Sequence, residues 1–315
     1  HENIYDFVII DEAARSISSE LAIAMQSAKR VLLVGDHLQL PPLYSDAHKA
    51  ALARRLGIHD QRTELDEVLR SDFARAFNSD YGRQTSATLL TQYRMAPPIG
   101  DLVSQIFYRG QLENGARAIP DIYQGAPAAL RSPVTWLDTA NLGDYAHHQS
   151  DRGASIYNRC EADQVIDLLK QVSESGQFIT DLSKLKEKDD ALIGVICMYS
   201  EQKRLIRQKF NQEIWHEGFK SLVKIDTVDS YQGKENRIII VSLTRSDKQR
   251  SPGFLRTPNR INVAISRAMD RLLILGNREM WNTQHRDKPL GQIISYMRDN
   301  GENGGYRFIP AARRP

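Results

Sequence analysis

The sequence predicts an α/β fold in which parallel sheets are flanked by helices, and three observations predict it. Short apolar runs rich in Val and Ile, without polar alternation, recur at residues 7–10, 31–34, 193–197, 238–241 and 272–275. Runs of that kind suit strands covered on both faces of a parallel sheet. Stretches with apolar residues at helical spacing lie between them, at 20–27, 47–56, 98–107, 158–174 and 201–217, as βα units require. The chain has 315 residues, 41% apolar and 26% charged, ordinary globular values and enough for about two domains of roughly 150 residues each.

Charge and cysteine usage exclude several classes. With 42 Lys and Arg against 39 Asp and Glu, a net charge of +3 decides little, so basic residues must act through local clustering. Cys160 and Cys197 stand far apart with no Cys-x-x-Cys pair, which excludes a zinc framework and a disulfide scaffold. They read as core thiols of a cytoplasmic protein. No apolar run approaches the roughly 20 residues that span a bilayer, so a soluble chain without a membrane partner is expected. His1-Glu2-Asn3 carries no initiator Met and no signal pattern, and reads as the start of a piece of something longer.

Residues 110–132 dissolve into Gly, Ala and Pro, with Pro120, Gly125 and Pro127 as breakers and Pro133 just beyond, the pattern of a connection between lobes. The expected organisation is a first domain at 1–115, a linker at 116–132, a second domain at 133–290 and a C-terminal tail at 291–315. The polar stretch 143–153 and the charged stretch 181–190 read as surface loops of the second domain.

The first run ends in Asp11-Glu12, adjacent carboxylates at the end of a buried strand. That arrangement can put one acid on Mg²⁺ and a second beside a water attacking a γ-phosphate, which assigns Asp11 to metal and nucleotide and Glu12 to catalysis. The structural alternative is that the pair caps a helix starting near Ser18. The second run ends in Gly35-Asp36-His37-Leu38-Gln39-Leu40-Pro41-Pro42, which places Gln39 where open α/β sheets bind ligands, although the same residues also form ordinary turns. Between Arg245 and Arg271 seven Arg or Lys (245, 248, 250, 256, 260, 267 and 271) stand against two Asp, a local surplus of five that a nucleic-acid strand would find attractive. His147-His148 reads as a loop pair without ligand spacing, and Trp136, Trp215 and Trp281 as packing residues.

Five segments taken together resemble the motifs of superfamily 1 helicases, specifically the Upf1-like group, in that family's order. They are Asp11-Glu12-Ala13-Ala14, Gly35 to Pro42, Gln92-Tyr93-Arg94-Met95, Thr227-Val-Asp-Ser-Tyr-Gln-Gly-Lys-Glu235 and Asn262-Val-Ala-Ile-Ser-Arg267. The resemblance implies two RecA-like domains of P-loop NTPase type, ATP and Mg²⁺ as cofactors, single-stranded DNA or RNA as partner, and 5′ to 3′ movement. It implies Glu12, Gln39, Arg94 and Arg267 as catalytic residues, the arginines spreading γ-phosphate charge. Gly233 and Glu235 would join Asp11 at the nucleotide, and Thr227, Ser230, Tyr199 and Arg260 would meet nucleic acid. Tyr199 belongs to Met198-Tyr199-Ser200-Glu201-Gln202, similar to a family Pro-Tyr-x-x-Gln segment except that Met198 replaces proline. Ser155 to Ala162 is similar to the family's start of the second domain's first helix, with Asn158 and Glu161 in bracing roles.

A Gly-x-x-x-x-Gly-Lys-Ser/Thr phosphate loop is absent from the 315 residues, Gly233-Lys234 being the nearest fragment. The expectation is therefore a truncated first motor domain with an exposed apolar face, covered by a missing upstream segment or a protein partner, and a chain inactive alone. The alternative class is a non-catalytic nucleic-acid or protein-binding module on a degenerate helicase fold.

Overall fold

The computed structural model describes residues 4–58, 65, 69, 71–150, 155–187, 190–247 and 251–313. They form two compact units, 1–89 and 90–315. Residues 90–115, expected in the first domain, therefore group with the second.

In the first unit β1 (Tyr5–Ile10), α1 (Ser18–Met25) and β2 (Ala28–Leu33) are followed by α2 (Asp46–Leu56), α3 (Asp72–Asn78) and α4 (Asp80–Thr85). β1 and β2 pair in parallel, with Phe7 opposite Arg30 and Ile9 opposite Leu32. Their predicted burial on both faces is not what the structure holds: Phe7 is 50% and Ile9 64% exposed. The reason is the small size of the layer beneath, where Ala13, Ala14, Leu21 and Phe73 gather against Ile10 and Leu33. Two strands have one covered side at most. The N-terminus of α1 is closed by Glu20, whose carboxylate accepts the Ile17 N–H at 3.0 Å, so Asp11 and Glu12 do not cap that helix.

The second unit opens with β3 (Thr91–Gln92), α5 (Pro97–Phe107) and β4 (Glu113–Asn114). There follow β5 (Val134–Asp138), α6 (Arg159–Ser173), α7 (Gln177–Lys184), β6 (Ile193–Cys197) and α8 (Ser200–Gln212). The rest is β7 (Val223–Thr227), β8 (Asn236–Ser242), α9 (Pro258–Ile265), β9 (Ala268–Gly276), α10 (Arg278–Thr283), α11 (Pro289–Asn300) and β10 (Tyr306–Pro310). Among the described residues six strands make one parallel sheet in the order β10-β5-β9-β8-β6-β7. Alternate residues on one face, Ile193, Val195, Ile238, Ile240, Leu273 and Leu275, join a cluster with Val165, Leu169 and Ile206 of α6 and α8. Ile196, Ile239, Val241, Leu272 and Ile274 on the other face are buried as well. Here the predicted two-sided burial holds.

Several sequence expectations shift. α8 ends at Gln212 rather than near 217, because Glu213 turns extended and the Trp215 indole folds back, donating to the Phe210 carbonyl at 2.7 Å and stacking between Phe210 and Phe219. The expected linker is packed: Tyr123, Ala126 and Leu130 belong to the hydrophobic core, and Arg117 and Tyr123 bind the buried Asp270 carboxylate. The expected tail supplies α11 and the edge strand β10, whose Phe308 lies opposite Trp136. Gly194 sits mid-β6, where a Cβ would stand 2.5 Å from the Tyr231 hydroxyl. The segment between β7 and β8 therefore crosses β6 in contact with it. A side chain at Gly194 would block that path.

Candidate nucleotide and nucleic-acid sites

In the first unit the two strand ends lie side by side. The Ala13 N–H donates to the Val34 carbonyl at 2.9 Å, and a Cβ on Gly35 would come within 2.9 Å of the Ala14 nitrogen, so glycine permits the approach. Asp11 and Glu12 are exposed on this edge. The Asp11 carboxylate accepts the Glu12 N–H at 2.8 Å. Glu12 has φ +54°, a left-handed conformation that costs a non-glycine residue about 1 kcal/mol or more and holds its carboxylate clear of the strand. In the neighbouring loop Asp36 organises the turn: it accepts from the Leu38 N–H and the Gln39 side-chain amide, both at 2.9 Å. Gln39 is thus aimed by Asp36, a residue to which motif spacing assigns no separate role.

An exposed carboxylate at a strand end fits Mg²⁺, which takes one or two protein carboxylates and fills its remaining positions with water and phosphate oxygens. Asp11 is the residue that would hold it. Among the described residues no group of three or more His, Cys, Asp or Glu gathers into a cage for a metal ion.

In the second unit three distant segments meet at the N-terminal ends of β8 and β9. The Gln92 side-chain oxygen accepts the N–H groups of Arg94 at 2.9 Å and Met95 at 2.7 Å, while its amide donates to Asn114 at 2.6 Å. This fixes the turn that carries Arg94. The Arg94 guanidinium forms an ion pair with Glu235, which immediately precedes β8, and reaches the Ser266 carbonyl ahead of β9 at 3.4 Å. Two residues predicted to meet a nucleotide are thus paired with each other. The pair is partly exposed, and such pairs contribute about 0–1 kcal/mol, so breaking it costs little. Gly233 is exposed with φ +76°, a conformation glycine adopts freely. Arg267 is placed differently from the expectation. It is 2% exposed, and its guanidinium donates to the Val263 carbonyl at 3.2 Å and the Ser266 hydroxyl at 3.3 Å. A role on phosphate requires it to turn outward.

The residues predicted to meet nucleic acid gather at the opposite end of the sheet, after β6, β7 and β8. The Thr227 hydroxyl donates to that of Ser230 at 3.2 Å. Arg260 donates to Asp229 at 3.4 Å and lies over Phe254, 4.8 Å from the ring centre. Tyr199 is only 6% exposed: Phe254 packs on its ring at 4.4 Å, and its hydroxyl accepts from Arg245 at 2.9 Å. It orders Arg245 and Phe254 and presents little surface of its own. Of the basic cluster, Lys248 and Arg250 lie outside the described residues. Arg271 faces inward, donating to the Leu130 carbonyl at 2.8 Å.

Beneath this end lies a buried polar network whose importance the sequence showed only as a bracing Asn and Glu. Glu161 is fully buried, and one carboxylate oxygen accepts from the Ser242 hydroxyl at 2.7 Å and the Thr244 N–H at 2.8 Å. Asn158 donates to the Thr244 carbonyl at 3.1 Å, and Gln202 joins Asn158 to Ser242. Thr244 has φ +68°, and these bonds to its N–H and carbonyl hold it there, turning Arg245 toward Tyr199. Burial pushes the Glu161 carboxyl up to about 8, against the two hydrogen bonds that favour its ionised form. His148, half-buried, is held below the usual imidazole range by burial, and its ring meets the Ser246 carbonyl at 2.6 Å as part of this loop scaffold.

A family model described as an AAA domain matches residues 68–279, and a second, also described as an AAA domain, matches residues 1–46. The chain is 31% identical to a regulator of nonsense transcripts 1 homolog of Neurospora crassa, over 87% of this chain and 23% of that protein. It is 30% identical to the ATP-dependent helicase NAM7 of Saccharomyces cerevisiae, over 86% of this chain and 25% of that one. To the ATP-dependent helicase upf1 of Schizosaccharomyces pombe it is 31% identical, over 86% and 26%. The chain spans about a quarter of the length of these curated relatives. With a parallel sheet flanked by helices and these matches, the chain belongs to the AAA-domain family of superfamily 1 helicases, in its Upf1-like group, and has an α/β RecA-like fold.

Proposed function

We propose that this chain works within an ATP-driven helicase that moves 5′ to 3′ along single-stranded DNA or RNA in the cytoplasm. Asp11 holds Mg²⁺ on the nucleotide, Glu12 orients the attacking water, and Gln39 reports on the γ-phosphate. Arg94 exchanges Glu235 for phosphate oxygens and neutralises the charge that builds there, and Arg267 turns outward to assist it. Bound Mg²⁺ supplies neutralisation of the phosphate oxygens. Thr227, Ser230 and Arg260 grip the strand's phosphodiesters, and Tyr199 acts by ordering Arg245 and Phe254. The observation that carries this reading is the meeting of Arg94, Glu235 and Ser266, from three distant segments, at the N-terminal ends of β8 and β9.

The 315 residues contain no Gly-x-x-x-x-Gly-Lys-Ser/Thr, so ATP turnover depends on that loop being supplied, and the chain alone is expected to be inactive. Further polypeptide, from the same protein or a partner, covers the apolar side of β1 and β2 in the working enzyme. The test is ATP hydrolysis and oligonucleotide binding by the purified chain, with and without a loop-bearing segment. Salt-sensitive binding without turnover is expected alone, and turnover when the segment is added. Arg94→Ala is expected to lower that turnover by about a hundredfold or more. ATP hydrolysis at helicase-like rates by the chain with no other polypeptide present would sink the proposal.

A further inference from the structure

Phe254 lies on the short 3₁₀ turn Gly253–Arg256 that leads into α9, at the sheet end that carries Thr227 and Tyr199. Its ring has two partners. Tyr199, after β6, packs against it with ring centres 4.4 Å apart, and the Arg260 guanidinium stands over it, 4.8 Å from the ring centre. Arg260 in turn donates through Nε to Asp229, after β7, at 3.4 Å. Arg245, Tyr199, Phe254, Arg260 and Asp229 thus form a row in which each side chain touches the next.

The turn is built to bring Phe254 into this row. Gly253 has φ +53°, and a Cβ on it would come within 2.6 Å of the Arg245 Nε, so glycine permits the close pass beside Arg245. Arg245 also donates to the Ser251 carbonyl at 3.1 Å, and the Thr257 N–H closes the turn on the Phe254 carbonyl at 3.0 Å. Core packing at this turn falls to Leu255, which is fully buried, while Phe254 is half-buried. An unrestrained arginine samples many rotamers and gives up that freedom when it binds. Arg260 has less to give up, because the ring quadrupole of Phe254 attracts its cation and Asp229 takes its Nε edge. The terminal amino groups are then the ones that meet a phosphate, as a planar pair matching two of its oxygens.

We propose that Phe254 is a positioning residue of the strand site, holding the Arg260 guanidinium so that its terminal amino groups meet a phosphodiester of the bound single strand. The inference rests on the reading of Arg260 as a strand contact, and adds to that site a side chain with neither charge nor hydrogen-bonding group.

Fluorescence anisotropy of a labelled single-stranded 15-mer tests it on the full chain over a series of salt concentrations. Phe254→Leu, which keeps every charge, is expected to bind about three- to tenfold more weakly, the cost of immobilising a freed arginine. Phe254→Tyr keeps the ring and should bind as wild type does. Arg260→Gln is expected to flatten the slope of log affinity against log salt by about 0.7, the share of one phosphate on a single strand. The decisive comparison combines the two changes. In the Arg260→Gln background Phe254→Leu should alter affinity by less than about twofold, because the ring then has no arginine to position. An equal loss in both backgrounds assigns Phe254 a purely structural role and overturns the proposal, as does Phe254→Leu binding within about twofold of wild type. Should Phe254→Leu lower the thermal midpoint, Phe254→Met takes its place under the same criteria. Absence of binding by the wild-type chain overturns the helicase reading and this inference with it; the other failures overturn the inference alone.

Discussion

The two units contain the same kind of sequence element and treat it in opposite ways. Phe7, Ile9 and Leu32 in β1 and β2 are largely exposed, while Ile193, Ile240 and Leu273 in the six-stranded sheet are fully buried. The runs look alike in sequence, so the difference lies in how many neighbours each strand has. A Val- and Ile-rich run specifies extended backbone; whether it is covered on two faces depends on layers contributed from far along the chain, here α6 and α8 on one side and α5, α9 and α11 on the other. Burial energy follows the layers, at roughly 25 cal/mol per Å² of apolar surface removed from water.

That contrast can be broken by substitution. The largest effect is expected for Ile240→Ala, which opens a cavity in the middle of β8 and costs about 4 kcal/mol. Urea unfolding followed by tryptophan fluorescence reads this directly, since Trp136, Trp215 and Trp281 all belong to the second unit. A loss below about 1 kcal/mol would show that the sheet is less completely covered than it looks.

An intermediate effect is expected at Glu161. Glu161→Ala leaves the Ser242 hydroxyl and Thr244 N–H unsatisfied in the interior and costs about 3 kcal/mol. Glu161→Gln keeps an oxygen for both donors and should cost little. The two also differ in pH behaviour. The unfolded carboxyl ionises near 4.5 and the folded one at about 8, so across that window the unfolded chain sheds a proton that the folded chain keeps. Wild-type stability therefore falls as pH rises from about 4.5 to about 8, and Glu161→Gln should remove this component of the slope. A slope unchanged in the glutamine variant would mean that other groups set it.

The smallest effect is expected for Ile9→Ala in β1, within about 0.5 kcal/mol by hydrogen exchange of the β1 and β2 amides, because the side chain already faces solvent. A loss comparable to that of Ile240→Ala would erase the distinction between the units.

What the sequence made legible follows the same division between local and distant causes. The central strands, α2, α5 and α6 stand within four residues of where periodicity puts them, because caps and apolar spacing are local. β5, β7 and β10 were not legible: Val134–Asp138 carries a Thr, a Trp and an Asp, and β10 mixes Arg307 and Pro310 among its apolar residues. The breakers at Pro120, Gly125 and Pro127 gave a linker, and the reason it packs instead is Asp270, a partner some 150 residues away that no local pattern announces. Motif spacing named the candidate site residues. It was silent on which of them pair in the folded chain, as Arg94 and Glu235 do, on the burial of Arg267 and Tyr199, and on Gln92, Asp36 and Thr244, which set the loops carrying them.

The passage over Gly194 has a mechanical consequence. From the end of β7 at Thr227 the chain must return along the sheet to the start of β8 at Asn236, retracing five residues of strand, about 16 Å. It has the residues 228–235 in which to do so. The first three are coiled into a 3₁₀ turn that advances only about 2 Å per residue, and Tyr231 is anchored by its hydroxyl to Asn236 at 3.0 Å. A second turn follows, in which the Lys234 N–H donates to the Tyr231 carbonyl at 3.1 Å. The crossing over β6 is thus two linked turns pinned at Tyr231, which join Ser230 at one end of the strands to Glu235 at the other.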